Sequence, residues 1–342
     1  MKINLIQLIK EARKNYDSEN PILNDGTGSL SFDEIMNVET SLLEKVPEGS
    51  NIAIIGDFDK FSICCILKLL SKRCTVTPLT KETEIQHDYF IRTSKAQFLI
   101  KNQKLIKIPV NNNKLSQEKF NIKSGGIIFY STGTTGLPKA ILHSLEKFIM
   151  PFEIRKKEYK SVGFLLFDHI GGFNTLFHLM FNNGTLYKTE SRKIEEVLEI
   201  IKTNNISLLP TTPTFLRMLM FHPLFPDIVP NCLTTISYGT EIMHESTLKF
   251  LSKSLPKIKF RQTYGMSELG ILPVKSKSSF STEITIIKNK NVDWIIGEDS
   301  VLKIKSKYSM EGYLNAPTPF EEDGWLNTGD IAISSDNEYF KI

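Results

Sequence analysis

The sequence predicts an α/β fold in which mostly parallel sheets are flanked by helices, with a small β-rich part near the C-terminus. From Pro21 onward, short runs of β-branched residues alternate with segments of helical period, which is typical of repeated β-α units. Of the 342 residues, 41% are hydrophobic and 23% charged, so the chain can bury a large core. After about Ser281, short alternating strands are separated by Gly, Asn and Asp. We therefore expect a core over residues 1–281 and a small β-rich subdomain over residues 282–342.

The individual elements follow from periodicity and capping signals. An amphipathic helix is expected at the N-terminus up to Arg13, and Ser31 with Glu34 has the spacing of a capping box. Apolar runs and helical periods predict the following elements. Strands are expected at 51–55, 76–79, 126–130, 163–167, 206–209, 234–238, 258–263, 285–287, 301–304 and 331–333, helices at 61–70, 194–201 and 215–220, loops at 111–113 and 275–281, and a solvated helix face at 155–160.

Charge and cysteine content exclude several classes of protein. The 42 Lys and Arg against 38 Asp and Glu leave a net charge of +4, too small to indicate nucleic-acid or membrane binding. The four cysteines form no C-x-x-C pair, so a disulfide framework and a zinc site are not expected, and a reducing cytoplasm is the simplest location. Polar residues interrupt the longest apolar stretch, 163–181, which excludes a membrane span. The N-terminus lacks the apolar core of a signal peptide.

The most informative segment is a glycine-rich loop that follows a predicted strand. Residues 130–139 are Tyr-Ser-Thr-Gly-Thr-Thr-Gly-Leu-Pro-Lys. Small side chains let an anion approach the backbone N–H groups, hydroxyls complete its hydrogen bonds, and Lys139 adds a positive charge, so the loop predicts phosphate binding. A Walker loop is excluded because Pro138 precedes the lysine and Ala140 follows it. The remaining alternative is a plain Gly/Thr turn.

The loop resembles the signature of the adenylate-forming superfamily, which includes acyl-CoA synthetases, nonribosomal-peptide adenylation domains and firefly-type luciferases. Further strings similar to family motifs follow in the family's order. They are Phe-Asp-His-Ile-Gly-Gly (167–172), Thr-Pro-Thr (212–214), Ser-Tyr-Gly-Thr-Glu (237–241), Tyr-Gly-Met-Ser-Glu (264–268), Gly-Tyr-Leu-Asn (312–315) and Trp-Leu-Asn-Thr-Gly-Asp (325–330). The resemblance implies the large N-terminal domain of such an enzyme. Family members continue past the Thr-Gly-Asp aspartate into a domain with a second catalytic lysine. That domain is absent from this sequence, so we expect either the large N-terminal part of a longer protein or a naturally truncated relative.

The resemblance also implies a set of nucleotide contacts. The loop would hold the β- and γ-phosphates, Ser267 would bond the α-phosphate, Tyr264 would lie against adenine, and Asp330 would accept the ribose hydroxyls. The implied nucleotide-binding residues are Thr132, Gly133, Thr134, Thr135, Gly136, Lys139, Gly239, Thr240, Glu241, Tyr264, Ser267 and Asp330. Glu268 resembles the glutamate linked to Mg²⁺, and Lys139, Glu268 and Thr134 are the implied catalytic residues.

On the acid side, the implied substrate residues are His169, Gly172, Tyr238, Gly265 and Met266. His169 occupies a position at which the family often gates its acyl tunnel, although a satisfied core histidine is the alternative. Apolar side chains such as Phe173, Phe177 and Met180 either line an acid pocket or belong to the core.

Adenylation joins a carboxylate to the α-phosphorus of ATP and expels pyrophosphate. Two like charges ~4 Å apart repel by ~4 kcal/mol at an effective dielectric constant of ~20, so cations and aimed N–H donors are needed. The resemblance implies ATP and Mg²⁺, a small carboxylic acid, and CoA or the phosphopantetheine of a carrier protein as acyl acceptor. The alternatives are a non-catalytic module that binds nucleotide or acyl-adenylate, and adenylation without thioester transfer. The sequence does not identify the acid.

Overall fold

The computed structural model describes residues 4–14, 16, 19–109, 124–131, 136–334 and 338–342. The α-helices among them are α1 (Leu5–Arg13), α2 (Lys60–Ser71), α3 (His87–Thr93), α4 (Leu145–Ile149), α5 (Ile170–Phe181), α6 (Ile194–Thr203), α7 (Pro213–Met220) and α8 (Glu245–Ser254). The described strands are β1 (Leu23–Asn24), β2 (Ser29–Leu30), β3 (Asn51–Ile55), β4 (Thr75–Leu79), β5 (Phe98–Lys101), β6 (Lys104–Lys107), β7 (Gly126–Ser131), β8 (Lys139–Ser144), β9 (Lys160–Val162), β10 (Thr185–Tyr187), β11 (Leu208–Thr211), β12 (Thr235–Tyr238), β13 (Lys259–Gln262), β14 (Gly265–Met266), β15 (Gly270–Ile271), β16 (Val274–Ser276), β17 (Ile284–Ile286), β18 (Val292–Ile296), β19 (Val301–Ser306), β20 (Gly312–Tyr313), β21 (Leu326–Ile331), β22 (Ile333–Ser334) and β23 (Phe340–Lys341).

The chain divides into two compact units that are each discontinuous in sequence. The first comprises Met1–Glu158, Leu165–Lys188 and Ser309–Thr318, and the second comprises Tyr159–Phe164, Thr189–Tyr308 and Pro319–Ile342. The chain passes between the two units several times, and the subdomain boundary expected after Ser281 stays a prediction. None of the helices in the described ranges combines the length and apolar character needed to cross a membrane.

A mixed sheet in the order β20-β8-β7-β4-β3-β5-β6 organises the first unit. Its central strands β7, β4, β3 and β5 are parallel, and β6, β8 and β20 add antiparallel edges. Helix α2 connects β3 to β4 and is capped at its N-terminus by Asp59, whose carboxylate accepts a hydrogen bond from the Ser62 N–H. β1, β2 and β10 pair separately in this unit.

An aromatic cluster forms much of the core of the first unit around α5. The Phe173 ring centroid lies 5.3 Å from that of Phe129, and the Phe177 centroid lies 5.1 Å from that of Phe148. Phe173, Phe177 and Met180 are all 0% exposed. Their packing supports the core alternative for these residues over a substrate pocket.

The second unit contains a parallel sheet in the order β9-β11-β12-β13, with helices α6, α7 and α8 between its strands. Two small antiparallel sheets follow, β16-β17-β23-β22 and β18-β19-β21. Trp294 anchors this region because its indole N–H donates to the Ile286 carbonyl at 2.7 Å and its ring packs 4.8 Å from Phe340. Parallel sheets flanked by helices, with antiparallel sheets near the C-terminus, confirm the predicted fold class.

Several local predictions were wrong. No strand forms at 163–167. The strand nearby is β9, which ends at Val162, and the apolar residues after it form an irregular, partly buried connection to α5. Apolar character alone does not distinguish a strand from a buried connection. No helix forms over 155–160, although 155–158 are exposed as predicted for a solvated face. Glu158 accepts hydrogen bonds from Asn20 and Asn183. The capping-box contacts of Ser31 and Glu34 are present, but they stabilise a 3₁₀ turn, Asp33–Met36. The loop expected at 275–281 is a strand in its first two residues, which belong to β16. The loop expected at 111–113 lies outside the described residues.

Candidate functional site

The predicted phosphate loop lies between two paired strands of the first unit. β7 and β8 are antiparallel, with Ser131 opposite Lys139 at their open ends. Thr132, Gly133, Thr134 and Thr135 lie outside the described residues. Gly136 is exposed, and a Cβ atom added to it would have no neighbour within 4 Å among the residues that the structure describes. Lys139 is exposed and its backbone N–H donates to Ser131 Oγ at 3.4 Å.

Residues from a distant part of the sequence surround Lys139. The ammonium lies 4.9 Å from the ring centroid of Tyr313, within the range of a cation–π interaction. Asn315 bonds the backbone next to the lysine, and the Tyr89 hydroxyl donates to the Pro138 carbonyl at 3.1 Å. Tyr89, Tyr313, Asn315 and Lys139 are called the loop-exit cluster below. Sequence reasoning noticed the string 312–315 but assigned it no role.

The N-terminus of α5 carries His169 and Gly172. The side chain of His169 is 41% exposed and its Nε2 lies 3.8 Å from Asp168 Oδ1, so this residue is not a core histidine. Asp168 is 7% exposed, and its Oδ2 accepts from the hydroxyls of Thr80 at 2.7 Å and Thr83 at 3.2 Å. Sequence reasoning missed Asp168 as the neighbour of His169, although it lies in the same quoted motif.

Gly172 permits a close helix contact. A Cβ atom at this position would lie 2.0 Å from the carbonyl oxygen of Leu166. Real side chains do not approach backbone this closely, so α5 can pack against the preceding turn only through glycine. Packing therefore explains this glycine without any ligand.

Tyr264 and Asp330 meet in the second unit. The Tyr264 hydroxyl donates to Asp330 Oδ2 at 2.7 Å across 66 residues of sequence. Burial raises the pKa of Tyr264, and the hydrogen bond to Asp330 adds to the rise. The phenol is therefore neutral at physiological pH and acts as a donor. The backbone N–H of Asp330 donates to Thr328 Oγ1 at 3.1 Å, which fixes the backbone of β21 next to the carboxylate.

The segment that follows β12 is closely packed. Tyr238 is 2% exposed, and burial raises its pKa. A Cβ atom on Gly239 would lie 2.3 Å from Thr263 Oγ1. Thr240 is exposed with φ +69°, a conformation that is strained for a β-branched residue.

Glu241 binds helix α7. Its Oε2 accepts from the backbone N–H of Thr214 at 3.0 Å and from the Thr214 hydroxyl. Arg217 lies 3.7 Å away. The carboxylate thus supports the first turn of α7, where negative charge is favoured. This contact was not predicted.

The motif Tyr-Gly-Met-Ser-Glu spans a tight hairpin. Gly265 and Met266 form β14, and a Cβ atom on Gly265 would lie 2.5 Å from the Gly270 carbonyl oxygen. Ser267 and Glu268 are partly buried just beyond. Among the described residues no three His, Cys, Asp or Glu side chains come together as a metal site. A single carboxylate such as Glu268 fits Mg²⁺ that keeps water and phosphate oxygens as its other ligands.

Comparison with known proteins gives consistent matches. A sequence profile described as AMP-binding enzyme matches residues 65–292. A medium/long-chain-fatty-acid–[acyl-carrier-protein] ligase, FadD10, of Mycobacterium tuberculosis is 26% identical over 250 residues, covering 63% of this chain and 46% of the relative. The 2-succinylbenzoate–CoA ligase of Bacillus licheniformis is 25% identical, covering 66% of this chain and 50% of the relative. The chain thus spans about half the length of these curated relatives.

Solved structures match nearly the whole chain. The inhibitor-bound N-terminal domain of FACL13 from Mycobacterium tuberculosis has a TM-score of 0.75 at 15% identity, covering 100% of this chain and 99% of that one. The luciferase-like enzyme of the mealworm Zophobas morio has a TM-score of 0.73 at 19% identity, covering 99% and 95%. At these identities the structural matches establish the fold alone.

Proposed function

The chain belongs to the AMP-binding enzyme family, and on that premise we propose that it activates a carboxylic acid with ATP. The reaction joins the acid to AMP and releases pyrophosphate, and the acyl group then passes to the thiol of CoA or of a carrier-protein phosphopantetheine. The curated relatives support this class because their names describe acid–thiol ligases acting with CoA or acyl-carrier protein. The identity of the acid stays open.

The hydrogen bond between Tyr264 and Asp330 carries the proposal. Two residues expected to contact one nucleoside lie far apart in sequence and are in direct contact in the second unit. An ionised carboxylate has several acceptor positions, so Asp330 can accept ribose hydroxyls in addition to the phenol. The phenol holds the carboxylate in one orientation, which reduces the entropy lost when the sugar binds.

The charges of the reaction assign the other roles. We assign to Lys139 the stabilisation of negative charge at the leaving pyrophosphate. Its side chain is exposed, so the ammonium is accessible to an anionic ligand. The loop from Thr132 to Gly136 would bind the phosphates through backbone N–H groups and hydroxyls. Ser267 would donate to the α-phosphate. Mg²⁺ held at Glu268 would neutralise phosphate charge.

On the acid side, His169 is our candidate for gating access, because its half-exposed imidazole is adjacent to a buried carboxylate. Met266, Gly265 and Tyr238 are proposed to border the acid.

A reducing cytoplasm is the proposed location. The free thiols of Cys64 and Cys65 are buried and burial raises their pKa to about 12, so they stay protonated and unreactive at neutral pH.

Exchange of labelled pyrophosphate into ATP tests the proposal on the full-length natural protein, with a panel of carboxylic acids. We expect exchange only when the matching acid is present, and loss of at least a hundredfold in Lys139→Ala and Glu268→Ala, as for removal of a single charge-stabilising group. Lys277→Ala is the matched control, because Lys277 also lies over a tyrosine ring, 5.7 Å from the centroid of Tyr339. Circular dichroism checks that each variant folds.

The possible outcomes separate the alternatives. Full exchange in both variants would show that the site assignment is wrong. Binding of ATP without exchange, for every acid, would favour a non-catalytic binding module. Hydroxylamine trapping of acyl-AMP without any thioester product would indicate adenylation alone.

A further inference from the structure

The string Gly-Tyr-Leu-Asn, residues 312–315, lies along β8 beside Lys139. Strand β20 pairs antiparallel with β8, with Gly312 opposite Leu142 and Tyr313 opposite Ile141. The pairing continues toward the lysine because the Leu314 N–H donates to the Ala140 carbonyl at 2.9 Å. The backbone of this string therefore supports the strand that begins at Lys139.

Asn315 bonds the backbone on both sides of the lysine. Its Oδ1 accepts from the Ala140 N–H at 2.8 Å, and its Nδ2 donates to the Pro138 carbonyl at 3.0 Å. Nδ2 also donates to the Tyr89 hydroxyl at 2.9 Å. One amide thus uses both its acceptor and its donors, a combination that a carboxylate cannot provide because it lacks N–H donors. The residues before and after Lys139 are held in one conformation.

Tyr313 holds the side chain of the lysine. Tyr313 is 5% exposed, and the Lys139 ammonium lies 4.9 Å from the centroid of its ring. A neighbouring lysine of the same unit, Lys147, is instead paired with Glu311 at 3.1 Å. A carboxylate partner compensates the charge of an ammonium, whereas an aromatic ring attracts it and carries no net charge. The ring therefore orients Lys139 and leaves its positive charge available to an anion.

We infer that Tyr313 and Asn315 are positioning residues that orient Lys139 and keep its positive charge available to an anionic group of the substrate. Asn315 fixes the backbone and Tyr313 fixes the side chain. The catalytic consequence rests on the proposed function, but the positioning itself is a property of the folded chain.

A first experiment measures positioning without any activity. Lysines of the full-length natural protein are reductively methylated with ¹³C-formaldehyde, and the dimethyl-Lys139 resonance is assigned with Lys139→Arg. A methyl group over an aromatic face is shielded, so we expect an upfield ¹H shift that persists in Tyr313→Phe and is lost in Tyr313→Leu. Tyr339→Leu, which removes the ring beneath Lys277, is the control and should leave the Lys139 resonance unchanged. An unshifted resonance in the wild-type protein would overturn the inference.

A second experiment measures coupling in pyrophosphate exchange. We expect Tyr313→Leu to lower kcat about fivefold to tenfold, as loss of a cation–π contact allows, and Tyr313→Phe to restore most of it. In a Lys139→Ala background, Tyr313→Leu should cause no further loss, because its effect acts through the lysine. Asn315→Ala should follow the same pattern, and Asn315→Asp should not rescue it. Fully additive losses would overturn the inference.

The two experiments distinguish failure of the positioning inference from failure of the proposed function. A Tyr313-dependent Lys139 resonance in a protein that never exchanges pyrophosphate would support positioning and contradict the proposed function. Normal, Lys139-dependent exchange with no shift and no coupling would support the function and contradict positioning.

Discussion

The loop-exit cluster and the Tyr264–Asp330 pair hold their charged groups by different means. Lys139 is exposed and is oriented by an aromatic ring and by an amide that bonds its neighbouring backbone. Asp330 is partly buried and accepts a direct hydrogen bond from a neutral phenol. A charge that stays in water can be oriented by weak contacts, whereas a charge removed from water needs a donor because leaving it unpaired costs several kcal/mol. Variants at the two regions should therefore differ in kind: loss of rate at the first and loss of affinity at the second.

The largest expected effect is on the free energy of unfolding, when a closely packed glycine in each unit is replaced by alanine. Gly172→Ala should lower the free energy of unfolding by about 3 kcal/mol, because the new Cβ would meet the Leu166 carbonyl at 2.0 Å and backbone cannot move aside. Gly239→Ala should cost about 2 kcal/mol. Rotation of Thr263 can relieve the first contact, at Oγ1, but it breaks the hydrogen bond of that hydroxyl to the Tyr238 carbonyl, and the Thr263 carbonyl oxygen stays 3.0 Å away. Urea denaturation measures both.

Gly171→Ala is the matched control for Gly172→Ala in the same helix turn. Its Cβ would lie 3.1 Å from Leu165 Cδ1, the end of a flexible side chain, so its stability should stay within about 0.5 kcal/mol of wild type. Equal costs at Gly171 and Gly172 would show that close packing does not explain Gly172.

The second effect concerns nucleotide affinity. Asp330→Asn should raise the Kd for ATP at least tenfold, because hydrogen bonds to a charged acceptor contribute about 1.5–3 kcal/mol. Tyr264→Phe should raise it less, since the carboxylate survives and loses only its orienting donor. Isothermal titration calorimetry measures both. Asp293→Asn is the control, because Asp293 is an exposed carboxylate of the same unit that pairs with Lys288 at 2.7 Å. Equal losses at 293 and 330 would contradict the assignment.

A third, smaller effect tests backbone strain beside Gly239. Thr240→Gly should stabilise the protein by about 1 kcal/mol, because glycine adopts positive φ without the clash that a β-branched side chain suffers. Ser300, with φ +63°, is not one of the candidate residues and is not β-branched, so Ser300→Gly should gain less. Thermal unfolding compares the two. If Thr240→Gly also leaves ATP affinity unchanged, the proposed contact of this side chain with nucleotide is wrong.

The smallest effect is a pH dependence at the Tyr264–Asp330 pair. The pKa of Tyr264 is raised above its ordinary value of 10.0, so the phenol stabilises the fold below that pH and the stabilisation is lost as pH rises through the raised pKa. At pH 10.0 the phenol of the unfolded chain is half ionised. Folding must protonate it again, which lowers the free energy of unfolding by about 0.4 kcal/mol. Tyr264→Phe should therefore lose less stability than wild type between pH 9 and 11 in urea titrations. Parallel curves would exclude Tyr264 as the titrating group.

The fold class and the family could be predicted from the sequence because both depend on local patterns. Alternation of β-branched runs with helical periods predicted the α/β architecture, and motif order predicted the family. Most buried strands were predicted at the observed place or within a few residues of it. The wrong elements, 163–167 and 155–160, are segments whose conformation depends on remote contacts; over 155–160, Glu158 bonds Asn20 and Asn183.

For the candidate residues, the sequence by itself determined which chemical groups are present and in what order: hydroxyls and glycines before Lys139, and a carboxylate after Thr328. Only the tertiary structure decided which groups meet. Tyr264 reaches Asp330 across 66 residues, and Asn315 reaches Pro138 across 177. It also showed that Gly172 and Glu241 have structural contacts of their own. Periodicity reports neighbours within a few residues along one element, whereas contacts between distant segments depend on how all the elements pack, and that information is not local.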